Sequence, residues 1–310
     1  MKQLFIQTGI GLLLLLTACH NEVVPEDRGE QVTLSFDLYK AELTKAENAT
    51  LMPAGKKFYA YAYEQGSTTD QVPVGSGIYT VDNKGTATGN LTLYRGVYNI
   101  YLVSYYDDYY VPELGDNYLI TVSNEKDFMH TALKNVTVQP TPGENKMSVP
   151  LTDPFSRLCS NVIVSVKASN TQPVTVMWLT VKNITIDNLS APLSYQLGTD
   201  NLLTSSALYT ESLSFNGDEF GSTDKEAKVP KVSNPKVVLP INGATALKFN
   251  ISLEIQYNRT GEQGASVTEP FSYEASVRKI FLPGMTYVFD FTLTFFGALN
   301  PADLTLGILE

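Results

Sequence analysis

Hydrophobic and polar residues alternate along most of the chain with a period of two. In the longest example, from Leu247 to Tyr257, every second residue is aliphatic or aromatic and the residues between are polar. Such alternation is typical of an antiparallel strand with one face in a core and the other in water. The same pattern predicts strands at 91–94, 98–105, 118–122, 162–166, 174–181 and 287–295, separated by turn-forming residues. Many short strands predict an all-β chain of the sandwich type, with a helix of about two turns only at 124–133.

The strand pattern is interrupted near the middle of the chain. Residues 139–146 read Gln-Pro-Thr-Pro-Gly-Glu-Asn-Lys, where two prolines and a glycine break the alternation. We therefore predict two domains of ordinary size, an N-terminal β-sandwich at 31–146 and a C-terminal β-sandwich at 147–297. Residues 298–310 are then a short C-terminal appendage, and residues 19–30 an acidic tether before the first domain.

The first nineteen residues follow the pattern of an export signal. Lys2 precedes an apolar run, which is closed by Leu16-Thr17-Ala18-Cys19. This closing box resembles a bacterial lipoprotein signal, which implies that residues 1–18 are removed and that the Cys19 thiol is acylated and attached to a membrane. The alternative is an ordinary secretory signal with a chance cysteine. No later apolar run approaches the length of a transmembrane helix.

Charge and composition narrow the function classes. The net charge is -10, from 22 basic and 32 acidic residues, which disfavours binding to nucleic acid. Besides Cys19 the chain has only Cys159, which we expect to be buried and inert. The chain has two histidines, His20 and His130. Two are too few for a histidine metal cluster, and neither has an obvious partner for a catalytic triad. We predict no enzyme activity, no metal and no cofactor, although two carboxylates converging in a glycosidase cleft would leave no mark in sequence order.

The order of motifs resembles the fimbrillin family of Bacteroidetes, which supplies subunits and anchors of type V pili. The resemblance spans nearly the whole chain and rests on four features: the box at Cys19, Thr44-Lys45-Ala46 after a first strand, the segment Leu-Met-Pro-Ala-Gly-Lys-Lys-Phe-Tyr-Ala-Tyr at 51–61, and Leu-Pro-Gly-Met-Thr-Tyr-Val-Phe at 282–289. It implies two tandem transthyretin-like Greek-key β-sandwiches. It also implies a surface-exposed lipoprotein of the outer membrane that joins other fimbrial subunits in the shaft or tip of a fimbria and supports adhesion. The alternative within the family is a non-polymerising anchor.

Assembly by strand exchange, as the resemblance implies, gives a role to both ends of the chain. The first strand alternates apolar residues at Val32, Leu34, Phe36 and Leu38. The candidate cutting sites for a trypsin-like protease are Arg28, Lys40 and Lys45. Loss of the first strand would leave an acceptor groove with unpaired backbone groups. A matching alternation near the C-terminus marks a candidate donor strand at Leu304, Leu306 and Ile308, which a neighbouring subunit could insert into that groove.

Both assignments have simpler alternatives. The tail is equally well explained as the final strand of its own sheet. The lysines are better explained as ordinary exposed loop residues, which are common.

A tyrosine-rich segment supports a different function. Residues 105–110 read Tyr-Tyr-Asp-Asp-Tyr-Tyr, and Tyr118 follows. Aromatic faces beside carboxylates suit sugars, so the alternative function is a surface lipoprotein that binds glycans through Tyr109 and Tyr110. The simpler explanation is that alternate tyrosines end a strand on its core side while the aspartates open a turn.

Overall fold

The computed structural model describes residues 29–38, 49–50, 52–169, 174–203, 210–221, 225–259, 266–294 and 303–309. In these residues the regular structure is β, apart from one short 3-10 turn at Gly217–Glu219. The prediction of an all-β chain is confirmed. The strands are β1 (Val32–Asp37), β2 (Ala49–Thr50), β3 (Lys57–Glu64), β4 (Gly75–Val81), β5 (Thr86–Leu93), β6 (Gly96–Ser104), β7 (Leu119–Val122), β8 (Met129–Val138), β9 (Lys146–Pro150), β10 (Phe155–Arg157), β11 (Ser160–Ser169), β12 (Val174–Leu189), β13 (Leu193–Gln196), β14 (Glu211–Asn216), β15 (Lys231–Val232), β16 (Lys236–Val238), β17 (Leu247–Arg259), β18 (Val267–Val277), β19 (Thr286–Thr294) and β20 (Asp303–Leu309).

The predicted helix at 124–133 is wrong. A turn leads instead into β8, which pairs antiparallel with β6 and β10. The first residues of β8, Met129, His130 and Thr131, are buried in succession, because that part of the strand is covered on both faces. A strand covered on both faces does not show the alternation that would have identified it.

The first unit is one curled sheet of nine strands. Its order is β2-β10-β8-β6-β3-β4-β5-β1-β9. Phe58 of β3 has its ring centroid 5.8 Å from that of Phe36 in β1 and 5.7 Å from that of Phe155 in β10. Both of those strands lie three places away from β3, which is about 14 Å in a flat sheet. The sheet therefore bends from both sides over a single aromatic core.

The second unit is a sandwich of two sheets. One sheet has the order β15-β11-β19-β20, with β16 also paired to β11, and the other has the order β14-β12-β17-β18. Phe249 of β17 packs across the core against Phe289 and Phe291 of β19, with ring centroids 4.9 and 5.2 Å apart. The predicted long strand from Leu247 is thus an inner strand with its apolar face in this core.

Strand pairing divides the chain later than the predicted boundary at 146. The strand that begins at Lys146, β9, pairs parallel with β1, and β10 pairs with β8, so both belong to the first sheet. The Pro- and Gly-rich segment is a loop that brings β9 beside β1, with a bridge between Thr141 and Glu144. We place the division between Arg157 and Ser160. Proline and glycine indicate a turn but carry no information about which sheet receives the next strand.

A third core joins the two units. It includes a small sheet in which β7 from the first half pairs with β13 from the second half. Tyr195 of β13 packs on Phe128, with ring centroids 4.8 Å apart. Cys159 is buried in this junction, as the sequence predicts, and burial raises the pKa of its thiol to about 12. A thiol that stays protonated at neutral pH is a poor nucleophile, so this cysteine is a packing residue.

Candidate functional site

Strand β1 lies inside the first sheet, although it is the first strand of the described residues. It pairs antiparallel with β5 on one side and parallel with β9 on the other. At its ends, the Thr33 amide donates to the carbonyl of Asn145 at 3.0 Å, and the Leu38 amide donates to the carbonyl of Gly85 at 2.9 Å. Removal of β1 would separate β5 from β9 and leave two facing rows of unpaired backbone groups. The space that β1 fills is called the β1 groove below.

The four alternating side chains of the first strand all point into the core. Each is exposed by 1% or less: Val32, Leu34, Phe36 and Leu38. The side chains between them lie on the outer face and are partly exposed. The residues that sequence analysis assigned to the groove strand are therefore the residues that hold β1 in place. Their part in strand exchange stays a prediction.

Phe36 occupies an aromatic pocket in the floor of the β1 groove. The rings of Phe58 and Tyr79 stack in parallel, with centroids 5.2 Å apart. Phe36 meets both of them edge-on, at 4.8 Å from Tyr79 and 5.8 Å from Phe58. Edge-to-face contacts of this kind add to the free energy of burial. Phe36 is therefore the strongest side-chain anchor of β1.

The ladder between β1 and β5 is interrupted at Leu34. Thr33 pairs with Thr92 but Ser35 pairs with Thr88, so β5 has extra residues at this point. The Tyr79 hydroxyl enters the interruption and donates a hydrogen bond to the Leu34 carbonyl at 2.9 Å. Burial raises the pKa of Tyr79, although a backbone hydrogen bond from Leu91 of β5 partly opposes the shift. Because the phenol stays protonated, its hydroxyl can bridge β1 and β5 at the point where the ladder between them is interrupted.

Sequence analysis did not single out Tyr79. It is one of 18 tyrosines, and its place in β4 gives no sign of a contact with a residue 45 positions earlier. The sequence feature that could have pointed to Tyr79 is the pattern of glycines around it. An added Cβ at Gly89 would lie 2.4 Å from the Ile78 carbonyl and 2.7 Å from the Tyr79 ring. Glycine at this position leaves room for that ring.

The C-terminal tail forms an edge strand. Its backbone, β20, pairs antiparallel with β19 in a continuous register from Val288 opposite Leu309 to Thr294 opposite Asp303. This is the arrangement of the simpler alternative, a final strand in its own sheet. In the sheet order β20 comes last, so only one of its edges is paired within the part of the chain that the structure describes. The donor role of Leu304, Leu306 and Ile308 stays a prediction.

The remaining residues predicted for export and processing lie outside the described residues. They are Cys19, Arg28, Lys40 and Lys45. The last two fall between Leu38, which follows β1, and the two-residue strand β2. A cut at either would separate β1 from everything that follows it in the chain.

The tyrosine-rich loop presents two rings to solvent. Tyr109 is 80% exposed and Tyr110 is 64% exposed. The Asp107 carboxylate accepts hydrogen bonds from both of their backbone amides, at 2.7 and 3.0 Å, and these bonds lower the pKa of Asp107. The simpler explanation, that alternate tyrosines end a strand on its core side, is therefore wrong for these two rings.

A cleft lies beside the later part of the same loop. Its volume is about 410 Å³, and its lining includes Tyr59, Tyr61, Glu113, Asp116 and Tyr118. The rings of Tyr59 and Tyr61 stack at 4.4 Å. The Tyr61 hydroxyl donates to the Pro112 carbonyl at 3.2 Å and accepts from the Leu114 amide at 3.0 Å, which fixes the loop on β3.

Two other kinds of site are absent from the described part of the chain. No three side chains of His, Cys, Asp or Glu there are grouped so that they could hold a metal ion. Nor does any helix within those residues have the length and hydropathy needed to cross a membrane.

Comparison with known proteins gives structural matches. No protein-family model matches the chain, and no curated protein sequence matches it significantly. A crystal structure of a candidate cell adhesion protein from Bacteroides fragilis matches with a TM-score of 0.57, covering 90% of this chain and 97% of that chain at 14% identity. A crystal structure of a fimbrial protein from Bacteroides vulgatus matches with a TM-score of 0.53, covering 91% of this chain and 98% of that chain at 13% identity. At these identities the likeness shows a shared fold over nearly the whole chain.

Proposed function

We propose that the chain is a structural subunit of a fimbria, exported as a lipoprotein precursor and assembled by protease-triggered strand exchange. The observation that carries this proposal is the inner position of β1, a strand at the start of the chain that is bonded to β5 and β9 and fills an apolar groove. The shared fold with a candidate cell adhesion protein and a fimbrial protein supports the same reading. As in the expectation from sequence, the subunit belongs to the shaft or the tip.

In this proposal the precursor is held at the outer membrane through lipid at Cys19. A trypsin-like protease cuts at Lys40 or Lys45 and breaks the covalent link between β1 and the rest of the chain. After such a cut, the lipid and the first strand are no longer covalently linked to the rest of the chain. A cut at Arg28 would free the subunit from its lipid but leave β1 in place, so the position of the cut decides whether the groove opens.

The cut strand does not leave at once. Each of its four buried apolar side chains contributes about 1.5–3 kcal/mol of burial free energy. We therefore expect β1 to stay in the groove until a competing strand replaces it from one end. The protein then never exposes the whole groove to water, which limits unspecific aggregation through the open edges.

The competing strand is the tail of a second copy. Residues 304–308 alternate as β1 does, and among the described residues β20 is an edge strand with one paired neighbour. Insertion of this tail beside β5 and β9 would restore both ladders, with backbone hydrogen bonds supplying affinity. Because donor and acceptor lie on different surfaces of each copy, repetition gives an open head-to-tail filament.

Limited trypsin treatment tests the proposal. We expect the cut chain to form a series of oligomers, with mass spectrometry locating the new N-terminus after Lys40 or Lys45. The control is a Lys40→Gln/Lys45→Gln variant, which should stay monomeric under the same treatment, as should a chain cut normally but lacking residues 303–310. Release of β1 without any oligomer, or equal assembly without the tail, would contradict the proposal.

A second candidate function is supported by the exposed tyrosines. Tyr109 and Tyr110 lie on a loop fixed by Asp107, close in sequence to the aromatic and acidic cleft at Tyr118. Under this proposal the chain binds glycans by stacking sugar rings on these faces. A polysaccharide in a native gel should then retard the protein, and Tyr109→Ala/Tyr110→Ala should abolish the retardation. Tyr94→Ala, at a half-exposed tyrosine after β5, is the control; retardation unchanged by the double variant would reject this function.

A further inference from the structure

The apolar alternation of β1 does not by itself fix its position in the groove. A slip by one residue turns the apolar side chains outward and is strongly disfavoured. A slip by two residues keeps the same face inward and puts one apolar residue in the place of the next. The pairing of β1 with β5 is interrupted near Leu34, so the ladder does least to fix the register of β1 at that point. Another feature of the groove must therefore distinguish registers two residues apart.

The interruption of β5 is built by residues of β4 and β5. An added Cβ at Gly77 would lie 2.6 Å from the Leu91 amide nitrogen, and one at Gly89 would lie 2.4 Å from the Ile78 carbonyl. The Ile78 amide donates to the Asn90 side-chain oxygen at 3.1 Å. The backbones of β4 and β5 therefore lie close together at this point. The Tyr79 side chain extends from β4 across β5 to β1.

We infer that Tyr79 sets the register of the strand that occupies the β1 groove, whether that strand is β1 or the strand of a second copy. Its hydroxyl binds the carbonyl of the strand residue at the interruption of β5 and ties the strand to the groove there. Its ring, stacked on Phe58, forms the wall of a pocket that suits a large side chain at one position only. For the strand of a second copy, this inference rests on the proposed function; for β1, it does not.

The aromatic pocket separates registers two residues apart by side-chain size. In a slipped register, the pocket of Phe36 would receive Leu34 or Leu38, and the Phe36 ring would be forced into a position now filled by leucine. The first change leaves a cavity and the second overfills the core, and each is destabilising. The same reasoning applies to the tail, which offers leucine or isoleucine but no aromatic residue at its alternating positions.

The first arm of the test uses the intact chain and hydrogen exchange. Tyr79→Phe keeps the ring but removes the bond to Leu34, so the amides of β1 should exchange about five- to tenfold faster. Tyr63→Phe is the matched control, because the Tyr63 hydroxyl is also buried but has no hydrogen-bond partner among the described residues. The control should leave β1 exchange unchanged. Equal exchange in Tyr79→Phe and the original chain would overturn the inference.

The second arm measures capture of two peptides by the trypsin-cut chain. One peptide has the sequence of residues 31–38, and the other has Leu34→Phe and Phe36→Leu, so the two have the same composition. The first should dissociate at least about tenfold more slowly. Equal dissociation would overturn the inference even if capture occurs. Release of β1 without capture of either peptide would reject the proposed strand exchange, and the first arm would then still decide the role of Tyr79 in holding β1.

Discussion

Replacing Phe36 by alanine should lower the free energy of unfolding by about 3–5 kcal/mol. Phe36 is fully buried and contacts the rings of Tyr79 and Phe58. Alanine would remove the contact with both rings and leave a cavity in the single core of the first unit. Because a domain is stable by only about 5–15 kcal/mol, the variant should unfold at a much lower urea concentration.

The control for this prediction lies on the opposite face of the same strand. The Thr33 side chain is on the outer, partly exposed face of β1, so Thr33→Ala should change the free energy of unfolding by about 0.5 kcal/mol or less. Urea denaturation followed by tyrosine fluorescence measures both variants. A loss below about 1 kcal/mol for Phe36→Ala would show that β1 is not held by this pocket.

The alternation of apolar residues predicted the strands that have one face in a core and one in water. β17 is the clearest case, since Leu247, Phe249 and Ile251 are buried while the residues between them are partly exposed. A helix was wrongly predicted at residues 124–133. The start of β8 lies there, and its sequence does not alternate because the strand is covered on both faces. The local pattern therefore predicts a strand when one of its faces is buried and the other is exposed, and fails when both faces are buried.

The groove strand was predicted from sequence, but its surroundings were not. Burial of Val32, Leu34, Phe36 and Leu38 follows from alternation. The parallel pairing with β9 depends on a residue contact about 112 positions away, between Ser35 and Met147. The contact between Tyr79 and Leu34 depends on an interruption in a third strand. No local pattern contains such information, and for the same reason the domain boundary was placed before β9 instead of after β10.

The tail shows a different limit of sequence reasoning. Alternation at Leu304, Leu306 and Ile308 predicts a strand but does not identify its neighbour. The structure pairs that strand with β19 of the same chain. Under the proposed function, the same strand has a second partner in another copy, and exchange between the two partners is the step that assembly requires.

Covalent locking of β1 should abolish assembly completely. Ser35 of β1 and Ser148 of β9 are direct neighbours in the parallel ladder, and both lie on the outer face. Adjacent strands are about 4.8 Å apart, within the range of Cα distances of about 4.4–6.8 Å that a disulfide spans. A Ser35→Cys/Ser148→Cys variant should therefore form a disulfide without disturbing the core. Cys159 should not interfere, since it is buried with its thiol pKa raised to about 12.

The most direct measurement of strand exchange is the oligomeric state of this variant after trypsin treatment, with and without a reducing agent. Cys19→Ala in the same chain removes the acylated thiol, and each single cysteine variant serves as a control. We predict that the oxidised chain is cut after Lys40 or Lys45 but keeps β1 and stays monomeric. Addition of the reducing agent should then release β1 and start assembly in the same sample. Oligomers from the oxidised chain at the rate of the unmodified chain would contradict the account, because β1 would then not need to leave its groove.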